Sequence, residues 1–472
     1  MNKKSKNIFI KNFTNLSLNQ GINILIAIVA TPILFQNLGD SQFGLVNLAF
    51  SIFMLISIFV SYGYHLNGPK QISLLNKLEK EADTIKDIVS LRLFIAIIIS
   101  TVIIALIYLT DFFNSYELII LFSIPILFSE AIHPVFYLQG KNNLSVLAIL
   151  NAFSKLFYLG LIILSIKNQN DAFKVNLLYG SVLSLVFLVY WGLFFYKNKL
   201  KFHFVDLDKI KFRLKENFQF FMSSVAGHIS IHSGIIILKL FVNNSELGKF
   251  ALANKIAFLL RMIPVFIVQS VLQNASIINQ NNPLALKKYL NYYFKRGLIL
   301  TFITGLFFTI FSKWIIIIFS GQEIIYSNQI LSVLSFIPFL AMLNFKNILL
   351  ILVNEKKRIL NKATWVSALF MISIATVLSY YYKGLGLAIA LLISEFISFI
   401  IHSILLSNSV FYIYRTAFIV EETFIGDNKL LISTNYKGDT LRFIKTLFDI
   451  NEHSTISINQ WQMKIGDIAL VQ

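Results

Sequence analysis

Apolar stretches of about twenty residues alternate with short polar connectors from residue 13 to residue 408 of this 472-residue chain. A helix rises about 1.5 Å per residue, so roughly 20 apolar residues cross a hydrocarbon core about 30 Å thick. The pattern predicts twelve such helices, over 13–35, 43–66, 88–110, 116–138, 144–166 and 172–196, then 218–241, 247–278, 294–320, 327–353, 360–382 and 385–408. The first run follows Lys3, Lys4, Lys6 and Lys11, as a cleaved leader would. Its length, and Ile28 where a small residue should precede Ala30, predict a retained helix instead.

Cations alternate between the connectors. Lys70, Lys77, Lys80 and Lys86 fall in one, Lys141 in another, and Lys197, Lys199, Lys201, Lys209, Lys211, Arg213 and Lys215 in a third. Two more hold Lys287, Lys288, Lys295 and Arg296, then Lys356, Lys357, Arg358 and Lys362. The intervening connectors carry Asp40, Asp111, Glu246 and Glu323, with Lys167 and Lys383 as exceptions. Positive connectors stay in the cytoplasm, so both termini are expected there. The expected fold is an all-α polytopic membrane protein of about twelve transmembrane helices in two six-helix bundles, 1–205 and 206–414. A weak internal echo spans the midpoint: Ser41-Gln42-Phe43-Gly44 and Ala49 align with Ser245-Glu246-Leu247-Gly248 and Ala253. Residues 415–472 change to a polar, nearly charge-balanced character and predict a small cytoplasmic α+β tail. It would have a hairpin turn at Gly426-Asp427-Asn428, a short helix from Asp439, and strands at 455–458 and 468–471.

Composition agrees with a lipid solvent. Apolar residues make up 56% and charged residues 14%, against about 45–50% and about 25% in soluble domains. The net charge of +18 would suit nucleic acid only on a solvated basic face, and these cations sit between apolar runs. With no Cys, disulfides and thiolate metal sites are excluded.

Ionisable groups inside the runs are the candidate chemistry. Lys155 is central in the fifth run, Arg261 and Lys255 lie in the eighth, and Lys346 and Glu130 lie in the tenth and fourth. Glu395 is central in the twelfth, and His228 and His232 sit one turn apart in the seventh. One cation at mid-membrane costs about 2.5–3.5 kcal/mol on insertion scales, so these should face a wet cavity or pair with carboxylates. The polar positions Asn19, Gln20 and Asn23 of the first run can line the same space. Arg92 and Lys239, nearer helix ends, either join the cationic cavity or snorkel to the headgroups. Glu130 and Glu395 are either ion-coupling carboxylates or partners of Lys346 and Lys155. The two histidines share a face that could hold a metal, but no third ligand accompanies them, so cavity lining is expected and no metal.

Asn19-Gln20, Pro32, Leu38-Gly39-Asp40 and Phe43-Gly44 resemble the Wzx-type O-antigen and polysaccharide flippases, in the superfamily that includes the MATE exporters. Tyr62-Gly63-Tyr64, Gly68-Pro69-Lys70 and Phe136-Tyr137-Leu138-Gln139-Gly140-Lys141 extend the resemblance over roughly residues 10–410. It implies a bacterial inner-membrane transporter with a cationic cavity, moving undecaprenyl-diphosphate-linked glycan by alternating access for surface polysaccharide synthesis. Membrane lipid, a polysaccharide polymerase and chain-length proteins are the implied partners, nucleic acid is not, and no cofactor is expected beyond H+ or Na+ as a coupling ion. The alternatives are a MATE-like small-molecule exporter and a lipid-linked peptidoglycan-precursor flippase; the latter family usually adds two helices that this pattern lacks. An enzyme is not expected, since the outer connectors are short and hold no nucleophile–base constellation.

Overall fold

The computed structural model describes residues 3–113, 116–281 and 283–414 together with five strands beyond them, with side chains described mainly between residues 24 and 406. Ten helical segments are long and apolar enough to cross a membrane, counted among the described residues. Eight are 19 to 33 residues long, whereas Ile24–Ser73 and Lys357–Leu406 each run for 50 residues. Fifty helical residues would reach about 75 Å, more than twice the hydrocarbon thickness. Both long segments are bent. Helix α1 (Lys3–Ser61) is broken at Gly39, whose φ of 71° suits a residue without a Cβ. Helix α16 (Lys357–Tyr414) is broken at Lys383. The expected first and second runs, and the eleventh and twelfth, are thus joined by a single bent residue rather than by loops.

Between these lie α2 (Tyr64–Ser73), α3 (Leu78–Leu109), α4 (Glu117–Leu121), α5 (Pro125–Ala131), α6 (Val135–Gly140), α7 (Leu144–Ser165) and α8 (Ala172–Lys197). The chain continues through α9 (Leu207–Lys239), α10 (Asn244–Asn281), α11 (Pro283–Ile310), α12 (Ser312–Ser320), α13 (Ile325–Leu334), α14 (Ile337–Leu343) and α15 (Phe345–Val353). The expected fourth run is broken into α4, α5 and α6, and the tenth into α13, α14 and α15. Each middle piece is seven residues long with proline in its first turn, Pro125 and Pro338. Proline has no N–H to donate and clashes with the preceding turn, so it favours a helix start, although Pro32 and Pro264 are accommodated inside α1 and α10. The helices also overrun the apolar runs. Residues 78–87 of α3 and 207–217 of α9, expected as connector, are helical.

Helices through Phe399 form one compact unit, and Ile400–Gln472 a second. In the first, a shared core draws Leu38, Phe43, Leu45 and Phe53 of α1 together with Leu247, Phe250, Leu252 and Ile256 of α10. Outward positions are apolar as lipid requires, as with Ile97, Ile98 and Val102 on α3 and Ile299, Leu300 and Ile303 on α11. In the second unit, β1 (Glu422–Gly426) pairs antiparallel with β2 (Lys429–Ser433), with Gly426 opposite Lys429. Strand β5 (Ile468–Val471) pairs parallel with β2, and β3 (Thr455–Ile458) pairs antiparallel with β4 (Trp461–Lys464). Asp427 and Asn428 and the helix expected from Asp439 lie outside the described residues.

The two echoing segments touch each other. A Cβ on Gly44 would stand 2.6 Å from the Gly248 amide nitrogen, and one on Gly248 would overlap the Asp40 carbonyl. Ser245 Oγ donates to the Asp40 carboxylate at 2.6 Å, and Lys249 Nζ lies 3.7 Å from it. At the far end of the same stretch of α1, Arg213 of α9 binds Asp87 of α3 at 2.7 Å, and Asn67 of α2 donates to Asn217 of α9 at 2.9 Å. Gly248→Ala is expected to destabilise by about 1–3 kcal/mol, the usual range for overpacking. The Tm of purified protein should fall, whereas Gly160→Ala, with nothing within 4 Å, should leave it unchanged.

Candidate functional site

The break between α5 and α6 sets the chemistry of the amino-terminal helices. Pro134 cannot donate to the Glu130 carbonyl four residues earlier, and Arg92 of α3 supplies a donor instead. Its guanidinium also donates to the His133 carbonyl at 3.3 Å and to the Glu130 carboxylate at 2.8 Å. Trp191 Nε1 donates to the Ile132 carbonyl at 2.7 Å. The carbonyls released by the broken helix are therefore met by two side chains from α3 and α8. Arg92 is 1% exposed and its charge faces the Phe136 ring from 5.9 Å. Both expectations for it are corrected: it neither snorkels nor lines the cavity beside it, because the broken backbone and Glu130 hold it.

That cavity, about 200 Å³, is enclosed by α1, α5, α7 and α8. Its polar lining is Ser57, Ser129, Glu130, His133, Asn151 and Lys155, beside Tyr179. Lys155 is half-buried on α7. A second cavity of about 60 Å³ lies between α1, α9, α10, α14 and α16, with Ser51, Ser230, Asn254 and Arg261 among its lining. Arg261 forms an ion pair with Glu395. The pairing expected for the two carboxylates is thus corrected, since Glu130 serves Arg92 and Glu395 serves Arg261 rather than Lys346 and Lys155.

The remaining cations do not converge on one space. Lys255 donates to Asn47 Oδ1 at 3.1 Å and stands 5.5 Å from the Phe43 ring. Lys346 lies 4.1 Å from the Phe294 ring, and Lys239, at the end of α9, donates to Asn244. None of these three, nor Arg92, lines either of the two cavities. These two cavities lie on successive turns of α1, with Ser51 facing one and Met54 and Ser57 the other. The His228 and His232 rings are 5.9 Å apart, and among the described residues no cluster of three metal-ligating groups occurs. His228 and His232 line neither of these cavities. The side chains of Asn19, Gln20 and Asn23 lie outside the described residues.

Sequence reasoning missed His133, Asn151 and Ser57. His133 carried a usable signal, since it lies one turn after Glu130 and directly before Pro134, where a helix must break. Ser57 and Asn151 resemble many other polar residues in membrane helices and carried none.

Exchanging Arg92 for Lys separates its two roles. A cargo-binding cation would survive as Lys, whereas a residue that reaches two carbonyls and a carboxylate at once requires the planar fork. Arg92→Lys is expected to lower the yield of folded protein severalfold, measured by size-exclusion chromatography. Breaking a buried pair outright, as in Arg92→Ala, costs about 3–5 kcal/mol.

Comparison with known proteins places this geometry in context. The family described as polysaccharide biosynthesis protein matches residues 9–273. A relative from Escherichia coli (strain K12), named "Putative O-antigen transporter", is 25% identical over 410 residues, covering 82% of this chain and 93% of its own. The fold is that of an inward-facing multidrug resistance MATE family transporter of the MOP superfamily, with a TM-score of 0.67 at 14% identity over 86% of this chain and 99% of that one. The lipid II flippase MurJ, in an inward closed conformation, gives a TM-score of 0.64 at 16% identity over 92% and 95%.

Proposed function

Because the chain belongs to the polysaccharide biosynthesis protein family, we propose that it is a flippase carrying polyprenyl-diphosphate-linked oligosaccharide across the bacterial inner membrane for O-antigen or capsule assembly. The kinship with an O-antigen transporter and the fold shared with a lipid II flippase support this reading. The observation that carries it is the presence of Lys155 and Arg261 in cavities among membrane helices. A diphosphate cargo brings about two negative charges into a low-dielectric slab, and fixed cations replace the water it leaves. A carrier of organic cations would call for acidic cavities, so these cations favour an anionic cargo. Family and relatives are transport proteins, and the chain is a transporter rather than an enzyme.

Counting each bent 50-residue segment as two crossings turns ten segments into twelve, six in each half, divided near residue 205. The alternation of cationic and acidic connectors supports the proposed orientation, with Lys70, Lys199 and Lys356 on the inner side. The amino terminus and the strand-bearing tail, 415–472, are then cytoplasmic. Alternating access would open the helices toward one side at a time, driven by H+ or Na+, with a polymerase and chain-length proteins receiving the product outside.

In proteoliposomes, the wild-type chain is expected to translocate a fluorescent lipid-linked oligosaccharide, and Lys155→Ala or Arg261→Ala to slow this at least tenfold at equal protein level. Unchanged translocation by both variants would remove the anionic-cargo argument. Because the chain has no Cys, topology can be read directly. A single cysteine replacing Lys383 should react with an impermeant maleimide from outside intact cells, and one replacing Lys199 only after the cells are opened.

A further inference from the structure

The cavity beside α5 differs from a plain anion site in the balance of its hydrogen-bonding groups. Ser57 Oγ donates to the Met54 carbonyl at 2.8 Å, and Ser129 Oγ donates to the Ile126 carbonyl at 2.8 Å. With both protons committed to backbone, what these hydroxyls can offer a guest is oxygen lone pairs. The Glu130 carboxylate adds acceptors of the same kind, and Arg92 holds it from behind without entering the cavity. Asn151, which shares a hydrogen bond with His133, has donors left for a guest, and Lys155 donates. A diphosphate diester is acceptor-only at neutral pH and would meet a carboxylate and two acceptor oxygens in these walls. Sugar hydroxyls, which donate as well as accept, match them.

Size permits it, since a cavity of about 200 Å³ has room for a hexose ring. The Tyr179 ring in the same wall offers an apolar surface to a sugar's C–H face.

We propose that this cavity is a subsite for a single sugar ring of the cargo, the diphosphate being met at its margin by Lys155; the assignment rests on the glycan-flippase reading. Asn151, Ser129 and Glu130 determine which ring is accepted, and Lys155 bridges the sugar subsite to the anionic part of the lipid.

The test compares two probes on the full chain in nanodiscs: methyl-capped polyprenyl diphosphate, and polyprenyl diphosphate carrying one hexose in place of the methyl. Two or three net hydrogen bonds predict about tenfold tighter binding of the hexose-bearing lipid. Asn151→Ala and Ser129→Ala should each bring the ratio of the two affinities toward one. Equal affinities in the wild-type chain would overturn the subsite while leaving the flippase reading intact. A wild-type preference that survives in both variants would also overturn it, because the sugar would then be held elsewhere. If the wild-type chain binds neither probe, the flippase reading itself fails.

Discussion

A guanidinium surrounded by protein at bilayer depth needs acceptors, and the two terminal nitrogens of Arg92 find them in groups a regular helix would not offer. Intact helices spend their carbonyls on their own amides. Here Pro134 withholds one amide, the chain turns between α5 and α6, and the carbonyls of Glu130 and His133 face sideways toward α3. The Glu130 carbonyl keeps only a long bond from the His133 amide, 3.3 Å, and so has a lone pair to spare, while the buried cation needs acceptors. Each removes the cost of the other, and their meeting fixes the wall from which Glu130 and His133 reach the larger cavity.

The same logic divides the intramembrane charges into two kinds. Arg92 with Glu130 and Arg261 with Glu395 are ion pairs that tie α3 to the broken helix and α10 to α16. The lysines meet neutral groups instead: Lys255 an amide and an aromatic face, Lys346 another ring. A compact ammonium on a flexible stem suits such sites, while the forked guanidinium suits fixed ones.

Much of the architecture was legible in the amino-acid pattern because lipid admits few solutions, and apolar runs of fixed length declare themselves. What the pattern hid was continuity: nothing distinguishes a loop at Gly39 or Lys383 from one bent residue between two helices. Charged helix ends were equally invisible, since Lys209 to Lys215 look like a connector whether or not they are helical. The site was legible in its residue types but not in its partners. Glu130 was recognised, yet its partner lies 38 positions earlier on a helix whose rotation no local spacing reveals. Arg92 was left between the cavity and the headgroups because it sits near an end of its apolar run, while helix α3 continues about ten residues further and carries it inward.

The meeting of Gly44 with Gly248 has a consequence for polarity. Matching positions in contact are what a twofold dimer presents to itself, an isologous junction in which each bond should appear twice. This one is no longer self-mirrored. The counterpart of Asp40 is Asn244, an amide engaged by Lys239, so the carboxylate that binds Ser245 has no twin bonding Ser41. A junction with Asp40 on one lip and Asn244 at the matching place on the other is handed: protonating or neutralising Asp40 would loosen one side while its reflection stayed as it was.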